Sequence, residues 1–162
     1  MRTSLVGFPN PVDGVSARLV ALGVATMATF YLATRSPWVL AILAWGFVAR
    51  VITGPKLSPL GLIVTRVVRP RLTIAERPTP GPPKRFAQAI GAAVSITALV
   101  ASGLGATGVV CGLIAILAVF ASLEAFAGFC VGCWLFRRLM RTGLVSDSTC
   151  ETCNDVWDRV RA

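Results

Sequence analysis

Four of the five cysteines stand in two CxxC doublets, Cys130-Val131-Gly132-Cys133 and Cys150-Glu151-Thr152-Cys153, the clearest chemical signal in this 162-residue sequence. Two thiols at that spacing fall within reach of one disulfide, and a helix start or a nearby cation stabilises the attacking thiolate. Arg137 and Arg138 follow the first doublet closely enough to act as such cations. A disulfide formed at Cys130 and Cys133 could pass by exchange to Cys150 and Cys153, and from there to a soluble partner. The same four residues also read CxxC-x16-CxxC, within the spacing of a four-thiolate structural zinc site. Such a site would be closed, would tie down the C-terminal tail and would leave no catalytic position. Cys111, standing alone, reads as a small buried hydrophobe.

Other chemistry is excluded by composition. There is no histidine, so imidazole acid-base catalysis, a Ser-His-Asp triad and nitrogen-ligated metal centres are ruled out. No phosphate-binding glycine loop, heme attachment motif or hydrolase constellation is present. Hydrophobic residues make up 55% of the chain and charged residues 14%, against about 25% charged in ordinary soluble domains. The net charge of +9 would suggest nucleic acid on a polar surface, but here the basic residues punctuate long apolar runs, and no nucleic-acid partner is expected.

These runs set the architecture. Between Arg85 and Glu124 lie 38 uncharged residues, about 57 Å as one helix and nearly twice the hydrocarbon thickness of a bilayer. The run must turn back, and Gly103-Leu104-Gly105-Ala106-Thr107-Gly108 supplies the turn. The first half repeats the pattern around Arg35-Ser36-Pro37. The expected fold is an all-α membrane protein with four transmembrane helices, at about 17–34, 37–54, 86–103 and 108–129, arranged as two hairpins in a weak parallel repeat. A soluble bundle would need more protein than this to surround helices apolar on every face. The first run lacks a signal-peptide cleavage site and is expected to stay in the membrane.

The segment 54–85 is Pro-rich and basic, carrying Lys56, Arg66, Arg69, Arg71, Arg77, Lys84 and Arg85 against Glu76. By the positive-inside rule it is cytoplasmic, as are both termini, in the cell membrane. Each hairpin is entered through prolines and left through a basic amphipathic stretch, Ser58 to Arg69 and then 134–142. Both stretches read as interfacial helices on the cytoplasmic leaflet. In this alignment Gly54-Pro55-Lys56-Leu57 corresponds to the cysteine-bearing segment of the second half. Residues 1–143 form the membrane domain, and 144–162 a cytoplasmic tail in which Glu151, Asp155, Trp157 and Asp158 suggest a short amphipathic helix.

Small residues should mediate packing in lipid, with Ala17, Ala21, Ala25, Thr29 and Ala33 at spacing four in the first helix and Ala87, Gly91 and Ser95 in the third. These stripes serve packing within the chain or between copies in a homo-oligomer. Two charges, Arg50 and Glu124, fall inside apparent spans. They read as a buried ion pair between the second and fourth helices, or as a snorkelling arginine and a proton-relaying acid.

Gly128-Phe129-Cys130-Val131-Gly132-Cys133, Val67-Val68-Arg69-Pro70-Arg71-Leu72 and Arg85-Phe86-Ala87-Gln88 carry a resemblance to a bacterial multi-pass membrane family, domain of unknown function 4395, from about Asn10 to Arg141. The resemblance implies an integral membrane protein without assigned activity, often encoded beside thioredoxin-like and sulfurtransferase proteins. It brings the family's paired thiols onto Cys130 and Cys133, while Cys150 and Cys153 lie beyond the matched part. The leading expectation is therefore a thiol-disulfide or sulfur-handling membrane protein that works with such a soluble partner. The alternatives are a zinc-stabilised scaffold or subunit of a larger membrane complex, and a small transporter acting as an oligomer.

Overall fold

A computed structural model describes residues 10–75 and 77–144. Four long helices dominate: α1 (Gly14–Thr34), α2 (Pro37–Thr53), α4 (Gly81–Gly103) and α5 (Thr107–Ser122), the last extended by a π turn over Leu123–Ala127. Shorter pieces are α3 (Pro59–Ile63) and α6 (Val131–Arg141). Two-residue strands β1 (Val12–Asp13) and β2 (Pro78–Thr79) pair antiparallel, with Val12 opposite Thr79 and Asp13 opposite Pro78. Among the described residues, four helical stretches are long and apolar enough to cross a membrane.

Helix starts follow local chemistry. Asp13 caps α1 by accepting from the backbone N–H of Val15 and of Ser16 at 3.1 Å each, and it also accepts from Arg69 Nε at 2.6 Å. Burial alone would raise this carboxyl, but hydrogen bonds from Ser16, Arg69 and Val15 outweigh it and hold its pKa down at about 2. Helix α4 begins at Gly81, well before the expected 86. Pro82 and Pro83 fall in its first turn, where a missing N–H costs nothing and the fixed φ favours the helix. Lys84 and Arg85 therefore sit on a helix and not in a loop. The stretch expected as one helix from Ser58 to Arg69 is a continuous helical run, which begins as α3 and passes through a π turn over Val64–Val68 into a 3-10 turn over Arg69–Arg71. Pro70 in that last turn has no N–H to continue the α-helical ladder.

The helices pack α1 on α5 and α2 on α4, with α4 also touching α5 and α6. Two arginines fix the relative directions. Arg18, early in α1, donates to the carbonyls of Ala125 at 3.1 Å and Phe126 at 2.8 Å, just past α5. Arg85, early in α4, donates to the carbonyl of Val51 at 3.1 Å, near the end of α2. At the opposite end of the bundle the Arg35 guanidinium contacts the Cys111 thiol. Both pairs are thus antiparallel.

The core is built from small and branched residues, with Ala28, Leu40, Ala98 and Ile114 almost fully enclosed. On α1 the buried face runs through Ala21, Val24, Ala25, Ala28 and Tyr31, while Thr29 and Ala33 are exposed. A stripe at strict spacing four advances about 40° per step on a 3.6-residue helix, so it leaves the interface after about three turns. On α4, Gly91 and Ser95 are both buried, and the Phe47 ring lies over Gly91. Large apolar side chains face outward, among them Trp38, which is 78% exposed, Trp45, Phe30 and Val119. Apolar surface of this extent around four spanning-length helices suits a lipid bilayer and not water.

Candidate functional site

The chain between α5 and α6 makes a sharp corner. Gly128 adopts φ +69°, a left-handed conformation that a side chain would strain, and ends the π turn. Two residues later Cys130 becomes the N-cap of α6, its Sγ accepting from the backbone N–H of Cys133 at 3.4 Å. The helix starts three residues earlier than the expected 134–142. Cys133 therefore lies within its first turn and not ahead of it.

What holds α6 in place is legible in the residues between the two cysteines. A Cβ on Gly132 would stand 2.5 Å from Ala87 Cβ and 2.6 Å from Ala87 Cα, so only glycine lets the two helices meet there. One turn further on, the buried Phe136 ring meets Phe86 with centroids 5.5 Å apart. The thiol pair is thereby fixed against the first turns of α4, where Lys84 resides.

Lys84 forms an ion pair with Glu124, both side chains largely enclosed. The acid's salt bridge is therefore made to α4, with Arg50 near enough to feel its charge. Arg50 is buried elsewhere: its Nε donates to Gln88 Oε1 at 2.8 Å, its Nη1 donates to Ser58 Oγ at 3.1 Å, and its guanidinium lies over the Phe47 ring at 4.5 Å. Neutral acceptors and an aromatic face surround this cation, which also feels the charge of Glu124.

Cys130, Cys133, Lys84 and Glu124 line one cleft of about 710 Å³, together with Arg18, Arg77 and Arg137. The remaining walls include Leu22, Ile74, Phe126 and Phe129. Arg138 turns away, its guanidinium 5.2 Å from the centroid of the Trp134 ring. Of the two arginines expected beside the thiols, the structure brings Arg137 to the cleft. Sequence reasoning missed Lys84, Arg18 and Arg77. The prolines before Lys84 were the available signal, since they mark a helix start and place that lysine in its first turn.

The two thiols are electrostatically unequal. The hydrogen bond with the Cys133 thiol lowers the pKa of Cys130 below the usual thiol value. Lys84 and the Cys133 N–H assist, while burial and Glu124 oppose. That same hydrogen bond, then burial and the neighbouring Cys130 charge, pushes Cys133 well up. The pair is thus tuned in opposite directions, Cys130 downward and Cys133 upward.

No group of three or more Cys, Asp, Glu or His able to hold a metal occurs among the described residues. Cys150 and Cys153, which the zinc and relay readings both require, lie outside the described residues.

Four helices long and apolar enough to cross a membrane define a multi-pass helical membrane protein. The chain belongs to the family described as domain of unknown function (DUF4395), whose model matches residues 12–141. That range contains Lys84, Glu124, Cys130 and Cys133 and stops short of the tail cysteines. No curated protein and no solved structure matches the chain.

Proposed function

We propose that this protein carries out thiol-disulfide exchange or sulfur handling at the inner face of the cell membrane, with Cys130 as the attacking thiol and Cys133 as the resolving one. The observation that carries the reading is the opposed tuning of two thiols that share a helix start and open onto one cleft beside Lys84. A soluble thioredoxin-like or sulfurtransferase protein is the exchange partner in this reading, and the tail pair Cys150 and Cys153 is the intermediate carrier. The basic residues at the cleft end of the bundle support a cytoplasmic location for that end.

We further read the bundle as two helical hairpins related as a parallel repeat, α1 and α2 against α4 and α5, each followed by an interfacial helix. Equivalent contacts support it: Arg18 reaches the end of α5 as Arg85 reaches the end of α2. Ser58 caps α3 by accepting from Gly61 N, as Cys130 caps α6 by accepting from Cys133 N. This correspondence sets Ser58 opposite Cys130, displacing the alignment that matched Gly54 to Leu57 with the cysteines. The first half keeps a hydroxyl where the second carries a reactive thiol.

Exchange at Cys130 is tested by trapping. Cys133→Ser should accumulate a stable mixed disulfide at Cys130, read by intact mass after exposure to an oxidised thioredoxin-like protein or a small disulfide. Cys130→Ser should accumulate none at Cys133. Equal adducts in both variants, or adducts in neither, would overturn the assignment.

A further inference from the structure

We propose that the cleft beside Cys130 and Cys133 binds a small anionic disulfide, and that Arg77 and Arg137 select it by charge. The inference rests on the exchange chemistry proposed above and names its small-molecule substrate class.

Three observations carry it. The cleft, at about 710 Å³, lies within the 300–1,000 Å³ typical of small-molecule sites, and its thiols are partly enclosed in its wall. Its charge is one-sided: among the described residues, Arg18, Arg77, Lys84 and Arg137 line it against the single carboxylate Glu124. Arg77 and Arg137, both exposed, add positive potential toward the mouth. A cleft with low-dielectric walls and one sign of charge concentrates ligands of the opposite sign. The apolar part of the wall, Leu22, Ile74, Phe126 and Phe129, accepts the carbon chain next to the sulfurs.

The chemistry is self-contained. The Cys130 thiolate attacks one sulfur of R–S–S–R, forming the Cys130–S–S–R bond as the substrate S–S bond breaks and RS⁻ leaves. The Cys133 sulfur then attacks the Cys130 sulfur, forming the Cys130–Cys133 disulfide and releasing the second RS⁻. The Cys133 proton and one from solvent protonate the two products. The protein dithiol is oxidised by two electrons and the substrate disulfide is reduced to two thiols.

The test is a charge series on the purified full chain in nanodiscs of neutral lipid. Initial rates of Cys130 thiolation are measured with dithiodiglycolate (anionic), hydroxyethyl disulfide (neutral) and cystamine (cationic). Each rate is divided by that of the same disulfide with mercaptoethanol at the same pH, which removes intrinsic reactivity. The expected order is anionic over neutral over cationic, with the first ratio at about 10-fold or more in low salt and shrinking as ionic strength rises. In the Arg77→Gln/Arg137→Gln variant the anionic-to-neutral ratio should fall toward unity. Equal normalised rates for all three, a cationic preference, or a ratio unchanged in the double variant would overturn the proposal while leaving exchange at Cys130 intact. No thiolation by any of the three would instead overturn the exchange reading on which it rests.

Discussion

Replacing Lys84 with methionine should produce two separable losses. Glu124 would remain enclosed without its cation, and removing one partner of a buried ion pair typically costs about 3–5 kcal/mol. The thermal midpoint in detergent should drop accordingly. Lys84→Met/Glu124→Gln should recover most of that loss, because an enclosed neutral amide is far cheaper than an enclosed unpaired charge. The second loss is at the thiol. Lys84 favours the Cys130 thiolate and Glu124 disfavours it, so the single variant loses the helping charge and keeps the opposing one. The midpoint of the pH-rate profile for Cys130 alkylation should therefore move upward in Lys84→Met and return toward the parent in the double variant. A single variant that melts early with an unmoved profile would assign the pair to stability alone.

Gly132→Ala should be nearly as damaging although it adds only one methyl group. The new Cβ would meet Ala87 Cβ and Cα, and the helix backbone of α4 cannot yield as a flexible side chain would. Overpacking of this kind costs about 1–3 kcal/mol, relieved by displacing α6. Because Cys130 and Cys133 ride on the first turn of α6, the displacement carries them away from Lys84. Alkylation of Cys130 at neutral pH should slow along with the drop in thermal midpoint. Adding Ala87→Gly should restore only part of both, since it removes the methyl group of residue 87 and leaves the added Cβ pressed against the backbone of α4. Full activity and stability in Gly132→Ala would show that α6 is not seated as described.

The long helices were legible because lipid-compatible runs have no competing interpretation: 38 residues without a charge must span and return. The thiol doublet at Cys130 was legible by spacing alone. What the sequence concealed is the set of long-range partners. Lys84 and Glu124 are 40 positions apart, and the Pro-rich segment around Lys84 reads as a loop although the helix begins at Gly81. Arg50 looks like the natural mate for Glu124 because both sit within apparent spans. Its acceptors are the neutral Gln88 and Ser58, which no charge pattern would identify. The ribbon of Val12 with Thr79 was hidden for a simpler reason: two-residue strands carry no periodicity. The role of Gly132 depends on a close approach by Ala87, visible only in three dimensions.

Whether Cys130 and Cys133 form a reversible redox pair is decided by poising the purified full-length protein in dithiothreitol buffers from fully reduced to fully oxidised. The redox state of the peptide bearing both cysteines is read by mass spectrometry after alkylation, with zinc counted on the same sample. A Cys130–Cys133 disulfide should appear and disappear along one reversible curve, with no stoichiometric zinc. Thiols that stay unbridged in every buffer, or one zinc per chain whose removal alone exposes Cys130, Cys133, Cys150 and Cys153 to alkylation, would contradict the redox assignment.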